Sequence, residues 1–348
     1  MVEKAKEKQT QAKRTVGQKR NVTSYDVAKH AGVSQSAVSR CFKTGASVSK
    51  KTREKVMKSV KDLGYRPNAI ARGLITRRSN MVGVIVSNLN FYPEILSELS
   101  TRFAERGVHV LLFTLDHESD VARTIDEVSQ YQVDGVVAAA HLTLEQIQMF
   151  EDRNVPLVSY NRSYQDAPVS SVCCDQVEGE KRLVNLLAEH KQHKFFAVVS
   201  GPKDSVVSMQ RTQGAIDQMK ALGIEDVAQV SGDYTYPSGR NALRELVEEY
   251  GRVPDAIVCA NDMMALGCVD EARHSFKLQV PNDVSIVGFD GVRSAAWLSY
   301  DLTTIQQPVE SMAEAAVDML LERINNDQLP PEKRSFSGVL RSGATVKT

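Results

Sequence analysis

The 348-residue sequence predicts a small all-α head, built as a helix-turn-helix, followed by a two-lobed α/β core with parallel sheets. Three observations predict this. Two short helical patterns meet at a glycine within Thr23–Phe42, TSYDVAKHAGVSQSAVSRCF. From Met81 onward, apolar runs of strand length alternate with amphipathic helical stretches. Charge is also divided: of 43 Lys+Arg and 43 Asp+Glu, residues 1–78 hold 20 and 5, leaving 23 and 38 for residues 79–348. The whole is neutral, but the first part carries +15 and the second −15. One end is made for a polyanion and the other repels it.

An apolar fraction of 42% is enough for real cores, and the length predicts two or three domains. The five cysteines are odd in number, include the neighbours Cys173 and Cys174, and show no C-x-x-C spacing. Reduced thiols of a cytoplasmic protein are expected. The first 22 residues are basic and polar without an apolar signal segment, and no run reaches membrane-spanning length. A soluble chain that stays inside the cell is the expectation.

Residues 1–21 have almost nothing to bury and are expected to be a disordered basic tail. Such a tail either adds phosphate attraction or is inert. Within residues 22–66, Thr23 caps the first helix, and Asp26 three residues on completes the reciprocal cap. Gly32 takes the positive φ that stops that helix, and Ser34 caps the second. Val27, Ala28, Ala31, Val33, Ala37 and Val38 let the two helices pack close and crossed, which leaves Gln35, Ser36, Ser39 and Arg40 outward. Short polar side chains and an arginine at a helix N-terminus suit a major-groove reader. An ordinary helical hairpin with a solvated face has the same pattern. Ser49 caps a third helix carrying Val56, Val60 and Leu63, which Gly64 ends and Pro67 prevents from continuing.

Residues 67–78 contain NAIARGLIT, a segment too short and too poor in core to be a stable isolated helix. Leu74 among Arg72, Arg77 and Arg78 suits insertion between base steps from the minor groove. A plain interdomain linker reads the same way.

In the core, the strand-length runs are Met81–Val86, Val108–Phe113, Gly135–Ala140, Leu157–Tyr160, Phe195–Ser200, Val227–Val230, Ala256–Ala260 and Ser285–Phe289. Helical stretches such as Glu94–Arg106, Gln176–His190, Val206–Leu222 and Met263–Phe276 lie between them. About 270 residues exceed one comfortable sheet, so two lobes are expected, with ligands beyond the carboxyl ends of the strands. Polar candidates there are Ser87, Asn88, Asn90, Asn161, Arg162, Asp233, Asn261, Asp262 and Asp290, with Arg211 near the start of its helix. Phe91, Tyr92, Tyr234, Tyr236 and Trp297 offer flat apolar faces. Together they form the lining a polyhydroxylated ligand uses. Individually, Asn261, Asp262 and Asp290 also fit as helix caps, Arg211 as a surface ion-pair partner and the aromatics as core.

No G-x-G-x-x-G follows the first strand, and no P-loop, H-E-x-x-H or G-x-S-x-G occurs. The seven histidines have no metal or triad spacing. No enzymatic activity, cofactor or metal is expected.

With both ends read, the chain resembles the lactose-repressor/galactose-repressor (LacI/GalR) family of bacterial transcription regulators from about Val22 onward. The motifs that carry the resemblance are VTSYDVAKHAGVSQSAVSR, VSKKTREKV, LGYRPNAIARGL, CANDMMALG, VSIVGFD and LTTIQQP. The resemblance implies a periplasmic-binding-protein type I-like core of residues 79–348. Its first lobe would span about 79–191 and 307–336, and its second about 192–306 and 337–348. Gln35, Ser36 and Arg40 match base-reading positions, and Thr23, Tyr25, Ser34, Ser39, Thr52 and Asn68 match DNA-backbone positions. Leu74, with Arg72, matches a minor-groove lever in a hinge helix. Ser87, Phe91, Asn161, Arg211, Tyr234, Asn261 and Asp290 are the effector-binding candidates. The implied partners are double-stranded operator DNA, a second copy of the chain, and a sugar, sugar acid or sugar phosphate, with a nucleobase as a lesser alternative. A repressor of carbohydrate-metabolism genes, cytoplasmic and held at the nucleoid by its operator, is the expectation. The chain closes without a leucine-heptad helix, so a dimer is expected rather than a tetramer.

Overall fold

The structure is a computed structural model that describes residues 22–42, 46–66, 78–87, 93–115, 121–164, 167–190 and 193–347. The chain divides into two compact units between Ser79 and Asn80. The predicted hinge residues, including Asn68, Arg72 and Leu74, lie outside the described residues, as does Phe91.

The first unit holds helices α1 (Ser24–Ala31), α2 (Gln35–Cys41) and α3 (Lys50–Leu63). Thr23 and Asp26 form the reciprocal cap of α1: Asp26 Oδ2 accepts from the Thr23 amide at 2.8 Å and from its hydroxyl at 2.7 Å. Gly32 ends α1 at φ 64°, where an L side chain would be strained. Val27, Ala28, Val38, Cys41 and Val56 close the small core. Arg53 donates to the Cys41 carbonyl at 3.0 Å, and His30 Nδ1 pairs with the Ser59 hydroxyl at 3.0 Å, tying α3 to the other two helices.

The second unit contains two six-stranded sheets. The first has the order β11-β5-β4-β3-β1-β2, all parallel, from β1 (Met81–Val86), β2 (His109–Thr114), β3 (Gly135–Ala138), β4 (Leu157–Tyr160), β5 (Ser170–Cys174) and β11 (Lys333–Phe336). The second has the order β12-β10-β9-β8-β6-β7, from β6 (Phe196–Ser200), β7 (Val227–Ser231), β8 (Ala256–Cys259), β9 (Ser285–Asp290), β10 (Thr303–Gln306) and β12 (Val339–Arg341). Only β12 runs antiparallel to its neighbour there. Central strands such as β3, β4 and β8 are buried along their whole length, as strands covered on both faces must be. Helix α4 (Pro93–Glu105), α5 (Val121–Gln130), α6 (Leu144–Asp152) and α11 (Val309–Asn325) belong to the first sheet. Helix α7 (Gln176–Glu189), α8 (Val206–Ala221), α9 (Tyr236–Tyr250) and α10 (Asp262–Asp270) belong to the second.

The position of α7 corrects the expected lobe boundary. Gly179 of α7 abuts Phe289 and Ile305, and Arg182 donates to the Gly338 carbonyl, all in the second lobe. The first crossing therefore falls at Asp175, not near residue 191. The apolar pattern of α7 could not reveal this, because an amphipathic helix fits either sheet. The later crossings fall at Gln307–Pro308, between β10 and α11, and between β11 and β12.

Candidate functional site

Two sets of side chains are candidates, one in each unit. In the head, Ser34 caps α2 by accepting from the Ala37 amide at 3.2 Å and pairs with the Ser36 hydroxyl at 2.9 Å. Ser36, Ser39 and Arg40 are exposed, at the i, i+3, i+4 spacing that puts them on one helix face. Arg40 Nε lies 3.4 Å from the Ser36 carbonyl. Gln35 is half-buried, with its amide 3.4 Å from the Ser24 hydroxyl. Tyr25 is 72% exposed, whereas Thr52 is half-buried and shares its hydroxyl with Ser49, the cap of α3. The face offers hydroxyls, an amide and one guanidinium without a bulky apolar group in the way.

In the second unit a cleft lies between the lobes, with about 670 Å³ of empty space open to solvent. The first lobe supplies Glu94, Ile95, Asn161 and Arg162, and the second supplies Val207, Arg211, Tyr234, Asn261 and Asp290. Gly291, Val292, Gln307 and Val309 complete the lining. Asn161, Tyr234 and Asp290 stand at or just past the carboxyl ends of β4, β7 and β9 and take φ of 53°, 68° and 123°. Non-glycine residues pay for such backbones, and proteins concentrate them where a side chain must be aimed.

Arg211 is the centre of the polar floor. It is 2% exposed, with Nε donating to Gln176 Oε1 at 2.7 Å, Nη1 to the Ala260 carbonyl at 2.6 Å and Nη2 to Asp290 Oδ1 at 2.8 Å. Its guanidinium carbon sits 3.8 Å from the Phe289 ring centroid. Burial works against its charge most strongly, but Asp290, by charge and hydrogen bond, together with Tyr234 and Glu180 holds its pKa above the ordinary value. Asp290 Oδ1 also accepts from Gln307 Nε2 at 2.7 Å. Asn161 Oδ1 accepts from Gln176 Nε2 at 2.9 Å.

Asn261 does what its capping alternative proposed: its Oδ1 accepts from the Met264 amide at 2.9 Å, while Nδ2 donates to the Tyr234 carbonyl at 2.9 Å. It lines the cleft as well. Tyr234 pairs with Ser205 at 3.1 Å, and burial raises its pKa. Asp262 is fully buried, accepting from Thr304 Oγ1 at 2.6 Å and the Val292 amide at 2.8 Å; burial pushes it up to about 7. It is a fold residue. Asp233 is engaged by Thr235 in its own turn, and Tyr236 donates to Asp270 at 2.6 Å. Ser87 is exposed beyond the end of β1 and Trp297 is 61% exposed; neither is among the described residues that line the cleft.

The sequence reading missed Gln176, Gln307 and Glu94. Gln176 reads as the first residue of an ordinary amphipathic helix and Gln307 as the end of a strand; no local pattern marks either. Among the described residues no group of His, Cys, Asp and Glu could hold a metal ion, and no helix is long and apolar enough to cross a membrane.

A helix-turn-helix head joined to a two-lobed parallel α/β core, with a polar cleft between the lobes, defines a ligand-sensing DNA-binding protein. Residues 23–68 match the model for bacterial regulatory proteins of the lacI family, and residues 184–346 match a periplasmic binding protein-like domain. The chain is 34% identical to the HTH-type transcriptional regulator CelR of Thermobifida fusca, over 88% of this chain and 92% of that one. It is 32% identical to catabolite control protein A of Priestia megaterium, over 88% and 94%. It is 30% identical to the ribose operon repressor of Escherichia coli K12, over 91% and 98%. The fold superposes on the lac repressor dimer bound to operator and the anti-inducer ONPF with a TM-score of 0.86, at 28% identity, covering 94% of this chain and all of that one. For the CelR–cellobiose complex the TM-score is 0.70 at 30% identity, covering 93% and 100%. The chain belongs to the lacI family of bacterial regulatory proteins, and it is a transcriptional regulator rather than an enzyme.

Proposed function

We propose that this regulator represses carbohydrate-metabolism genes as a homodimer on a pseudo-palindromic operator, and that a sugar in the interlobe cleft controls it. The observation that carries the reading is the convergence of Arg211, Asn261, Tyr234 and Asp290 on one cleft at strand carboxyl ends. Fixed amide and carboxylate groups beside tyrosine are suited to ring hydroxyls. The relatives' names point the same way: one structure of CelR holds cellobiose, and another relative is a ribose operon repressor.

In this reading, Gln35, Ser36 and Arg40 read base edges in the major groove, while Thr23, Tyr25, Ser34, Ser39, Thr52 and Asn68 engage the DNA backbone. Two heads reach half-sites about one helical turn apart. Leu74, flanked by Arg72, opens a central base step from the minor groove. Arg211, Asn161, Asn261, Tyr234 and Asp290 hold the effector, whose preference for one lobe arrangement shifts operator affinity. The protein works in the cytoplasm, held at the nucleoid by its operator.

Gel shifts with genomic fragments, repeated across salt and with a sugar panel, test the proposal. A sequence-selective complex that weakens steeply with salt and responds to a sugar is expected. Binding without sequence preference at every salt concentration, or a complex indifferent to all sugars, would overturn it.

A further inference from the structure

An ion pair crosses the cleft from one lobe to the other. Glu94 stands in the first turn of α4, in the first lobe, and lines the cleft. Its Oε1 lies 3.3 Å from Nε of Arg293, which follows β9 in the second lobe. Among the described residues neither side chain has another ion pair.

Both ends of this contact are mounted on fixed backbone. In the first lobe, Ile95, Leu99 and Phe103 bury the inner face of α4, so Glu94 moves with its sheet. In the second, Asp290 and Gly291 turn the chain at φ 123° and 73°. A Cβ on Gly291 would fall 2.6 Å from Gln306 Cα, so this turn is packed against β10. The next amide, that of Val292, donates to the buried Asp262 carboxylate at 2.8 Å. The Ala295 amide donates to the Val292 carbonyl at 3.0 Å, and the Leu302 amide to the Ala295 carbonyl at 2.8 Å. Arg293 therefore projects from a pinned turn, and its distance to Glu94 follows the angle between the lobes.

Exposure decides how strong such a tie is. The Arg293 side chain is 81% exposed and that of Glu94 27%. A pair so open to water breaks easily, and added salt screens its attraction. It shifts an equilibrium by up to about fivefold. Couplings between a ligand and a distant site are typically about 5- to 150-fold. The pair thus trims the balance between lobe arrangements without locking it, and a ligand spanning the cleft supplies the larger part.

We infer that Glu94 and Arg293 form an interlobe latch, which favours the arrangement in which both lobes reach one ligand. The consequence for effector affinity rests on the sugar reading; the latch itself rests on the contact between pinned elements. Favouring closure raises the binding-competent fraction of the chain, and so tightens the apparent affinity for an effector held by both lobes. Arg293 acts here as a positioning residue.

The test measures the distance between the lobes in the full chain by pulsed electron paramagnetic resonance. Nitroxides are placed at Leu144→Cys in the first lobe and Leu222→Cys in the second, both exposed positions. A Cys173→Ser background keeps labelling specific, because the other four native cysteines are buried. Labelled chains are diluted into unlabelled ones, so that only distances within one chain are read. Arg293→Gln is expected to lower the ratio of short to long distances about two- to fivefold. Arg293→Glu, which sets two carboxylates face to face, is expected to lower it further. Combining Arg293→Glu with Glu94→Arg restores the ratio, an outcome that a merely local role of Arg293 would not produce. Raising salt to about 1 M, where screening acts within about 3 Å, shifts the wild type toward Arg293→Gln and leaves that variant unchanged. Calorimetric titration with a panel that includes ribose and cellobiose then reads the effector side: Arg293→Gln is expected to weaken binding by about the same factor. An unchanged distance distribution in Arg293→Glu, or a swap that fails to restore it, would overturn the latch and leave the sugar reading standing. Shifted distances in a chain that binds no sugar of the panel would sustain the latch and overturn the sugar reading.

Discussion

Gln176 joins Arg211 to the opposite lobe. Its Oε1 accepts from Arg211 Nε at 2.7 Å, and its Nε2 donates to Asn161 Oδ1 at 2.9 Å. Arg211 continues through Asp290 to Gln307 at 2.8 and 2.7 Å. Gln176 opens α7 immediately after the first crossing between the lobes, and Gln307 lies at the second. A ligand that tugs on Asp290 or Asn161 therefore pulls on the segments about which the lobes reorient.

Replacing Gln176 with Leu removes the middle of this chain while nearly preserving volume. Arg211 Nε loses its partner in a buried place, while Asn161 Oδ1 keeps only the Cys174 amide at 3.4 Å; leaving the guanidinium N–H unpaired costs about 1–3 kcal/mol of stability. Operator affinity without ligand is expected to stay near wild type, while the ligand-induced change shrinks by most of a coupling of about 1–3 kcal/mol. Fluorescence anisotropy on operator DNA, titrated with the sugar, measures both. A full ligand response in Gln176→Leu would show that the lobes communicate by another route.

Glu180 lies one turn beyond Gln176 on α7, fully buried, and neither carboxyl oxygen has a hydrogen-bond partner among the described residues. Burial pushes its pKa up to about 8; the Arg211 charge opposes this and Asp290 adds to it. The folded value lies above the unfolded one, so the neutral carboxyl favours the folded state. That contribution is fully present below the unfolded pKa, about 4.3, and is lost as pH rises toward 8. Thermal melts between pH 5 and pH 9 should show the wild type losing stability relative to Glu180→Gln, by on the order of a few kcal/mol at the alkaline end. Parallel melting curves at every pH would mean that Glu180 is solvated in the folded protein.

Arg40 is exposed on the polar face of α2 and, among the described residues, makes a single 3.4 Å contact with the Ser36 carbonyl. Arg40→Ala should therefore leave the unfolding free energy within about 0.5 kcal/mol of wild type, as exposed substitutions do. If this guanidinium reads a guanine edge, the variant loses about 1–3 kcal/mol of discrimination at one operator position and relaxes its preference there. Binding selections on randomised half-sites, with sugar binding as the control, check this. An unchanged base preference would move the reading role to Gln35 and Ser36.

How much of this was legible before folding follows from the physics of each element. The head was readable because its caps are local: Thr23 with Asp26, Ser34 and Gly32 act within four residues. Eight of the twelve strands were visible as apolar runs; β10, β11 and β12 were not, nor was β5, SSVCC. Serine and cysteine fill that buried strand, and only tertiary contact makes them interior. The cleft was half legible. Asn161, Arg211, Tyr234, Asn261 and Asp290 stood out through strand ends and an arginine near a helix start, whereas Gln176, Gln307 and Glu94 are placed by crossings between lobes that no local pattern encodes.

The α9–α10 contact gives the sharpest stability prediction. Gly239 and Gly267 let the two helices touch backbone to backbone: a Cβ on Gly239 would fall inside the Met264 carbonyl, and one on Gly267 inside that of Tyr236. Both obstacles are main chain, which cannot rotate away as a side-chain tip can. Met264 and Leu266 are buried around the contact, and Cys268 donates to the Gly239 carbonyl at 3.1 Å, so separating the helices also opens packed core. Gly239→Ala would gain up to about 1 kcal/mol of intrinsic helix propensity. The overpacking cost, about 1–3 kcal/mol or more, exceeds that gain. Because α10 begins at the cap made by Asn261, a shifted α10 also displaces a cleft residue. Gly239→Ala is therefore expected to lower the melting temperature and weaken sugar binding together, while DNA binding by the head persists at low temperature. Denaturant unfolding alongside sugar titration measures the pair, and a more stable variant with intact sugar affinity would show that the helices have room to part.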